Sequence, residues 1–228
     1  MRIAEIYLSI QGEGLLTGAE SVFVRASGCN LRCWFCDTPF ASWSPEGEDL
    51  AIGEILDQVE QYGCNHVVIT GGEPMLFAEL IPLSQELRGR GMHVTIETAG
   101  TLDLPVACDL MSISPKLSNS APLARRQPRW HRRHEQTRHA PEVIRRLVRD
   151  YEYQVKFVID QPADCREVEA YLTRMPQIDR SRVMLMPQGT DIDELAKRGV
   201  WLKTFCDGAG VRFCPRRQIE WFGAMRGT

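Results

Sequence analysis

The chain alternates short apolar runs with segments of helical period along most of its length. Six strand-length runs rich in β-branched residues lie at 21–27, 66–70, 93–98, 110–114, 153–159 and 182–187. Five segments with helical spacing of apolar residues lie at 51–62, 77–90, 141–151, 163–175 and 191–202. Runs that are apolar on both faces indicate a parallel sheet covered by helices. Right-handed crossovers then leave a doubly wound sheet or a closed or partial barrel, with ligands at the carboxyl ends of the strands.

Size and composition indicate one compact domain, residues 1–228. The chain is 43% hydrophobic and carries a net charge of −3, which excludes a disordered chain and offers no long-range attraction to nucleic acid or to an acidic membrane. No apolar stretch approaches the length of a spanning helix, and the amino-terminal residues lack the pattern of a signal peptide. We therefore expect a cytoplasmic protein with neither a nucleic-acid nor a membrane partner.

One segment, residues 118–139, departs from the alternation. It is rich in Arg and His and has little apolar periodicity, so the sequence predicts a long loop or an insertion. Two interpretations stay open, a solvated charged excursion and a mobile lid whose arginines meet an anionic substrate or a partner protein. No catalytic residue is assigned to it.

Three closely spaced cysteines, Cys29, Cys33 and Cys36, follow the first predicted strand. In a reducing compartment such a group indicates metal binding rather than a disulfide framework. A structural zinc site needs four ligands, and the fourth is missing unless the start of the next strand brings His66 back to the loop. Three thiolates with one open position instead suit an iron–sulfur cluster in which one iron accepts an exogenous ligand.

A second motif, TGGEP at 70–74, ends the second predicted strand, where two glycines allow close approach of the backbone to a ligand. The CxxxCxxC loop followed by GGEP resembles the radical S-adenosylmethionine superfamily. That resemblance implies an α/β fold, a partial (β/α)6 barrel, here carrying the Arg-rich insertion. It also implies a [4Fe–4S] cluster on the three cysteines and S-adenosyl-L-methionine bound to the fourth iron, in a closed cavity that protects a radical.

Further motifs resemble the 7-carboxy-7-deazaguanine synthase family in the family's own order. They are SIQGEG near the amino terminus, Arg25, CDT at the end of the cysteine loop, ETAG at 97–100, SISPK at 112–116 and LMPQG at 185–189. The resemblance implies a carbon–nitrogen lyase of 7-deazapurine (queuosine-type) biosynthesis. Such an enzyme contracts 6-carboxy-5,6,7,8-tetrahydropterin to 7-carboxy-7-deazaguanine with loss of ammonia. It further implies a homodimer, Mg²⁺, and an electron donor such as a flavodoxin or ferredoxin.

The same resemblance implies a set of site residues. The implied substrate ligands are Ile10, Gln11, Gly12, Glu13, Arg25 and Thr98, with Arg25 gripping the substrate carboxylate as a bidentate fork. The implied cofactor-binding residues are Phe35, Cys36, Asp37, Gly71, Gly72, Glu73, Gly100, Ser114, Pro115, Lys116, Met186, Pro187, Gln188 and Gly189. Thr38 is the implied magnesium ligand, since Mg²⁺ prefers oxygen ligands. The alternative interpretation of Thr38 is a helix cap or a turn residue, since Pro39 follows it.

Two competing functions are a glycyl-radical-enzyme activase and a non-catalytic metal-binding interaction module. SIQGEG and SISPK argue against the activase. A module would not cleave S-adenosylmethionine after anaerobic reconstitution and reduction.

Overall fold

A single nine-stranded sheet organises the computed structural model, which describes all residues, 1–228. The spatial order of the strands is β3-β1-β2-β4-β5-β6-β7-β8-β9. Their bounds are β1 (Arg2–Ile10), β2 (Glu20–Ala26), β3 (Glu48–Asp49), β4 (His66–Gly71), β5 (His93–Thr98), β6 (Leu110–Ile113), β7 (Tyr153–Ile159), β8 (Val183–Pro187) and β9 (Arg212–Phe213).

The pairing makes the sheet an open barrel. From β2 to β9 every neighbouring pair is parallel, whereas β1 pairs antiparallel with β2 and with β3. The edge strands β3 and β9 do not pair with each other. The six predicted strands correspond to the parallel strands β2 and β4 to β8, and the expected partial barrel is confirmed.

Eight helices accompany the sheet. Their bounds are α1 (Pro39–Ser42), α2 (Ile52–Glu60), α3 (Leu80–Gly89), α4 (Pro128–Thr137), α5 (Pro141–Asp150), α6 (Pro162–Arg174), α7 (Ile192–Ala209) and α8 (Arg217–Phe222). The five predicted helices correspond to α2, α3, α5, α6 and α7. The connection from β5 to β6 contains no helix, and α5 covers this part of the sheet, since Ile144 packs against Gly100.

The prediction of a loop for the Arg-rich segment was wrong in part. The segment contains a 3-10 turn, Ser118–Ser120, and the ten-residue helix α4, which begins with Pro128 at a position where proline costs no hydrogen bond. The helix escaped detection because Trp130 and His134, rather than an aliphatic stripe, hold it to the protein. His134 is only 1% exposed, and its burial lowers the pKa of the imidazole to about 4, so the ring stays neutral.

The main core lies on the helix-covered face of the sheet. Val67, Ile69, Val94 and Ile96 of the two central strands are completely buried, as expected for parallel strands covered by helices. None of the helices combines the length and the apolar character that crossing a bilayer demands. The carboxyl ends of the parallel strands meet at one rim, and the loops there enclose the site.

Candidate active site

A cavity of about 360 Å³ opens at the carboxyl ends of the parallel strands. Its size falls within the range of ordinary ligand sites. Most predicted site residues line it, namely Ile10, Gln11, Gly12, Glu13, Arg25, Cys29, Cys33, Phe35, Cys36, Asp37, Thr38, Gly71, Gly72, Thr98, Ser114, Lys116, Met186 and Gln188. The remaining predicted residues lie outside its lining, namely Glu73, Gly100, Pro115, Pro187 and Gly189.

The three cysteines of the loop after β2 line one region of this cavity, and none forms a disulfide. Burial raises the pKa of the Cys29 thiol to about 11 and that of Cys33 to about 12. Both sulfurs are therefore protonated at neutral pH until a metal displaces the protons. The loop backbone already contacts one sulfur, because the Leu31 N–H donates to the Cys29 Sγ at 3.4 Å. Such N–H contacts stabilise thiolate ligands of iron.

The structure argues against a single metal ion at this loop. No three His, Cys, Asp or Glu side chains of the chain are placed to hold one ion. His66 is the first residue of β4, at the opposite end of the strand from the loop, and its ring stacks on His93 with a centroid distance of 4.9 Å. It is not the fourth ligand of a zinc site. Three sulfurs that share a cavity without converging on one point suit a cluster, in which each cysteine binds a different iron.

The GGEP turn packs directly on the cysteine loop. The Gly72 N–H donates to the Ala26 carbonyl at 3.0 Å, and the Glu73 N–H donates to the Gly28 carbonyl at 2.8 Å. A Cβ on Gly72 would lie 2.1 Å from the Gly28 oxygen, and Gly71 has a φ of +128°, so neither position accepts another residue without rearrangement. The two glycines thus let the turn pack closely against the end of β2 and the cysteine loop.

Glu73 supports the site without lining the cavity. Its carboxylate is fully buried, where it accepts hydrogen bonds from the Thr98 hydroxyl at 2.9 Å and from the Ala99 and Met75 N–H groups at 2.9 and 3.1 Å. Burial raises the pKa of Glu73 despite these donors. The side chain therefore joins the ends of β4 and β5 rather than facing the cavity.

Arg25 projects from β2 into the cavity and is already paired. Its Nε donates to the Glu5 carboxylate at 2.6 Å and its Nη2 donates to the Tyr7 hydroxyl at 2.6 Å. Both partners lie on β1, the strand that pairs with β2. Glu5 also pairs with Arg226 at 3.0 Å. The guanidinium is thereby held in place, with 14% of its side chain exposed.

A buried charge network forms another wall of the cavity. Lys156, 4% exposed, donates to the Glu13 and Glu97 carboxylates at 3.0 Å each. Burial by itself would raise the pKa of Glu13, but the positive charges of Lys156 and Arg216 outweigh it and hold that pKa at about 2. Burial would lower the pKa of Lys156, yet the two carboxylates raise it. Glu13 and Lys156 are therefore both charged at neutral pH.

The carboxyl-terminal part of the chain completes this network. Arg216 forms ion pairs with Asp37 and Glu13 and donates to the Gly189 carbonyl at 2.6 Å. Gln218 donates to Glu13 at 2.6 Å. The Arg216 guanidinium thereby links Asp37, at the end of the cysteine loop, to the loop after β8. Residues 223–228 also line the cavity, and the Arg226 guanidinium stacks 3.9 Å above the Phe40 ring.

Thr38 precedes α1 at the helix cap position, but its side chain makes no capping hydrogen bond. Its Oγ1 lies 3.8 Å from the Cys36 Sγ and lines the cavity. The hydroxyl is therefore free to serve as an oxygen ligand. On a neighbouring loop, Lys116 donates to the Ser114 carbonyl and hydroxyl at 2.8 and 2.7 Å, which fixes its ammonium beside the cavity.

The sequence reasoning missed several cavity residues, chiefly Glu5, Tyr7, Glu97, Lys156 and Arg216. A detectable signal existed for Lys156, because a lysine inside the apolar run YQVKFVI is as costly to bury as an arginine inside VFVRAS. Arg216 carries no such signal, since its partner Asp37 is 179 residues away in the chain.

Comparisons with known proteins agree with this geometry. Residues 23–114 match the family model described as the Radical SAM superfamily. A 7-carboxy-7-deazaguanine synthase of Rhodopirellula baltica is 47% identical over 99% of this chain and 88% of its own length. Another, from Halobacterium salinarum, is 40% identical over 95% of this chain and 88% of its own length.

Solved structures share the fold. QueE from Escherichia coli superposes with a TM-score of 0.69 at 23% identity, covering 95% of this chain and 93% of that one. Streptococcus suis SuiB bound to S-adenosylmethionine superposes with a TM-score of 0.53 at 15% identity, covering 83% of this chain and 48% of that one. The two synthases match nearly the whole chain at 47% and 40% identity, and the cysteine loop lies on an open parallel barrel. The chain therefore belongs to the 7-carboxy-7-deazaguanine synthase family of radical S-adenosylmethionine proteins.

Proposed function

We propose that this chain is a 7-carboxy-7-deazaguanine synthase, a carbon–nitrogen lyase that converts 6-carboxy-5,6,7,8-tetrahydropterin to 7-carboxy-7-deazaguanine with loss of ammonia. The observation that carries the proposal is the 47% identity to a protein of that name over 99% of the chain. The cavity supports it, because the three thiols of the cysteine loop and the Arg25 guanidinium line one enclosure. The two relatives described above bear the name of the synthase, not that of an activase or of a binding module.

Cys29, Cys33 and Cys36 would hold the [4Fe–4S] cluster. The cluster supplies the electron that cleaves bound S-adenosylmethionine and so provides the radical that attacks the substrate. The backbone of Gly71 and Gly72, with Phe35, Ser114 and Lys116, lines the space next to these thiols and would receive the cofactor. Glu73 and Gly100 would act by holding the strand ends, since neither faces the cavity.

The substrate would lie between Arg25 and the buried charge network. Arg25 offers its guanidinium to a carboxylate, and such a charge-assisted pair is strong in a partly desolvated site. Gln11, Glu13 and Thr98 supply acceptors and donors that suit the polar edge of a pterin. Because Glu13 stays ionised, it would accept hydrogen bonds from the substrate's N–H groups rather than donate to it.

Thr38 would contribute an oxygen to Mg²⁺. The support is its uncapped hydroxyl at the cavity wall, and Mg²⁺ commonly takes only one or two protein ligands together with substrate and water oxygens. Held by Thr38, the ion would supply a fixed positive charge that orients the substrate's oxygens in the cavity.

We further propose that a flavodoxin or ferredoxin delivers the electrons and that the enzyme is a homodimer composed of single-domain chains. Both partner proposals follow from the family resemblance. Analytical ultracentrifugation of the reconstituted protein tests the dimer, and a monomeric mass at micromolar concentration would contradict it.

The decisive experiment is anaerobic turnover. Protein reconstituted with iron and sulfide is incubated with carboxytetrahydropterin, S-adenosylmethionine, Mg²⁺ and dithionite, and the products are identified by mass. We expect 7-carboxy-7-deazaguanine and ammonia in equal amounts. Cleavage of S-adenosylmethionine without any deazapurine would contradict the proposed substrate, and absence of both reactions in cluster-containing protein would contradict the enzyme class.

A further inference from the structure

The helix α4 and the turn before it form an exposed cationic surface. Five arginines of this segment are exposed and form no ion pair, namely Arg125, Arg126, Arg129, Arg132 and Arg133. The last three recur at helical spacings of three and four, so they share one face of α4. The nearby acids are already used, because Glu135 is paired with Arg138 at 2.8 Å and Glu167 accepts from Ser118. We call these five residues the α4 arginine surface.

This surface is fixed to the cysteine loop by several direct contacts. The Arg32 N–H donates to His134 Nδ1 at 3.1 Å, and the Trp34 N–H donates to the Ser120 carbonyl at 3.1 Å. The Arg32 guanidinium lies 4.4 Å above the Trp130 ring. Since Arg32 stands between Cys29 and Cys33 in the chain, α4 adjoins the residues that would bind the cluster.

An exposed apolar group accompanies the charges. Trp34, which follows Cys33, is 52% exposed, and its indole N–H donates to the Asn119 carbonyl at 2.7 Å. Leu123, in the same segment as the arginines, is 51% exposed. Exposed aromatic and aliphatic groups within a cationic surface are typical of a protein interface, where apolar contacts form the centre and charges steer the partner.

We propose that the α4 arginine surface, with Trp34, is the docking site for a small acidic flavoprotein that reduces the cluster. This inference rests on the proposed function, which requires an electron donor. The flavin passes from its anionic hydroquinone to the neutral semiquinone, giving one electron to the cluster without transfer of a proton. The site places the donor against the backbone that carries Cys33, so the electron travels a short distance.

Charge complementarity selects this partner. The whole chain carries a net charge of −3, so an acidic protein is repelled in general and attracted only at a local cationic face. A nucleic acid would also be attracted by the charges, but it would gain nothing from the position of the surface beside the cluster loop. Binding of a nucleic acid to this surface is therefore one of the outcomes that the test distinguishes.

The test compares two charge-reversed variants of the reconstituted enzyme. Arg129→Glu, Arg132→Glu and Arg133→Glu are combined in one protein. The control combines Arg174→Glu, Lys203→Glu and Arg212→Glu, three exposed cations outside the segment that change the net charge equally. Anaerobic calorimetry measures the Kd for an acidic flavodoxin, and stopped-flow absorbance measures cluster reduction by its hydroquinone. Dithionite-driven cleavage of S-adenosylmethionine is measured in parallel.

We expect the α4 variant to bind the flavodoxin at least about tenfold more weakly and to lose a similar factor in the flavodoxin-driven reduction rate. Its cluster absorbance and dithionite-driven cleavage should equal those of the unmodified enzyme and the control. Equal effects of both variants, or an equal loss with dithionite, would overturn the proposal. So would tight binding of an RNA oligonucleotide by the unmodified enzyme without measurable binding of the flavodoxin. None of these readouts uses the pterin, so failure of the proposed function would appear separately, as absence of deazapurine.

Discussion

Replacement of Lys156 by Met should destabilise the protein strongly and in a pH-dependent way. The ammonium is buried and lies 3.0 Å from carboxylate oxygens of both Glu13 and Glu97. Without it, Glu13 keeps Arg216 at 3.4 Å as its cationic partner, whereas Glu97 keeps none, and the two carboxylates repel each other in a largely desolvated wall. Breaking a buried ion pair by removing one partner costs about 3 to 5 kcal/mol.

The Glu13 titration gives an independent magnitude. Its pKa is held at about 2 against an ordinary value of 4.5, which corresponds to roughly 3 kcal/mol of stabilisation, since one unit is about 1.4 kcal/mol. This stabilisation is fully present above pH 4.5 and is lost as the pH falls towards 2. In the variant the pKa of Glu13 rises instead, so the cost should be larger at pH 8 than at pH 5, where the carboxylate can take up a proton.

Thermal unfolding of the reconstituted proteins at pH 5 and pH 8 provides the assay. For a chain of this length each kcal/mol shifts Tm by roughly 2–4 °C, so we expect a decrease of roughly 6–20 °C at pH 8. The matched control is Lys197→Met, which removes an exposed ammonium 3.1 Å from Glu194 and should cost at most about 1 kcal/mol. Adding Glu13→Gln to the Lys156 variant should restore part of the loss. A decrease equal to that of the control, or one independent of pH, would refute the reasoning.

Three further predictions concern the site. Cys33→Ala should abolish iron–sulfur absorbance and cleavage of S-adenosylmethionine, whereas Cys165→Ala, which removes a buried thiol outside the cavity, should preserve both; an active Cys33→Ala enzyme would contradict the cluster assignment. Arg25→Ala should lower kcat/KM for the pterin about thirtyfold, equivalent to about 2 kcal/mol, while the slow cleavage of S-adenosylmethionine without substrate survives, and equal loss of both activities would make Arg25 structural. Turnover should require Mg²⁺ although that slow cleavage does not, and Thr38→Ala should raise the Mg²⁺ concentration needed; unchanged turnover after exhaustive chelation, with the cluster intact, would exclude the metal.

Local patterns predicted the parallel part of the fold well, because strands such as β4 and β8 are buried on both faces and therefore read as continuous apolar runs. The same reasoning missed β1, whose residues are mostly half-buried and include Glu5 and Tyr7, which face the cavity. In a strand that lines a polar site, apolar and polar residues do not alternate as they do in a strand that lies between a core and solvent.

The candidate site was predictable where the residues that carry its chemistry are close together in the sequence. The cysteines and the GGEP turn each form a short motif, so their residue types and spacing carry the information. The network around Glu13 forms no such motif. Its members come from the loop after β1, from β5, from β7 and from α8, and they meet only after the sheet has formed. Glu73 illustrates a third case, in which the motif is visible but the orientation of the side chain is not.

The pairing of Arg25 with Glu5 has a consequence for the timing of the reaction cycle. With Arg25 in its proposed role, an arriving substrate would have to take the guanidinium from the Glu5 carboxylate, so its measured affinity would be the difference between two ion pairs. The product named for the family also bears a carboxylate and would meet the same competitor when it leaves. Arg226, 3.0 Å from Glu5, holds that competing carboxylate at the site. The ligand would therefore bind less tightly than to an unpaired arginine, and its release would be less hindered, which favours turnover over retention of the product.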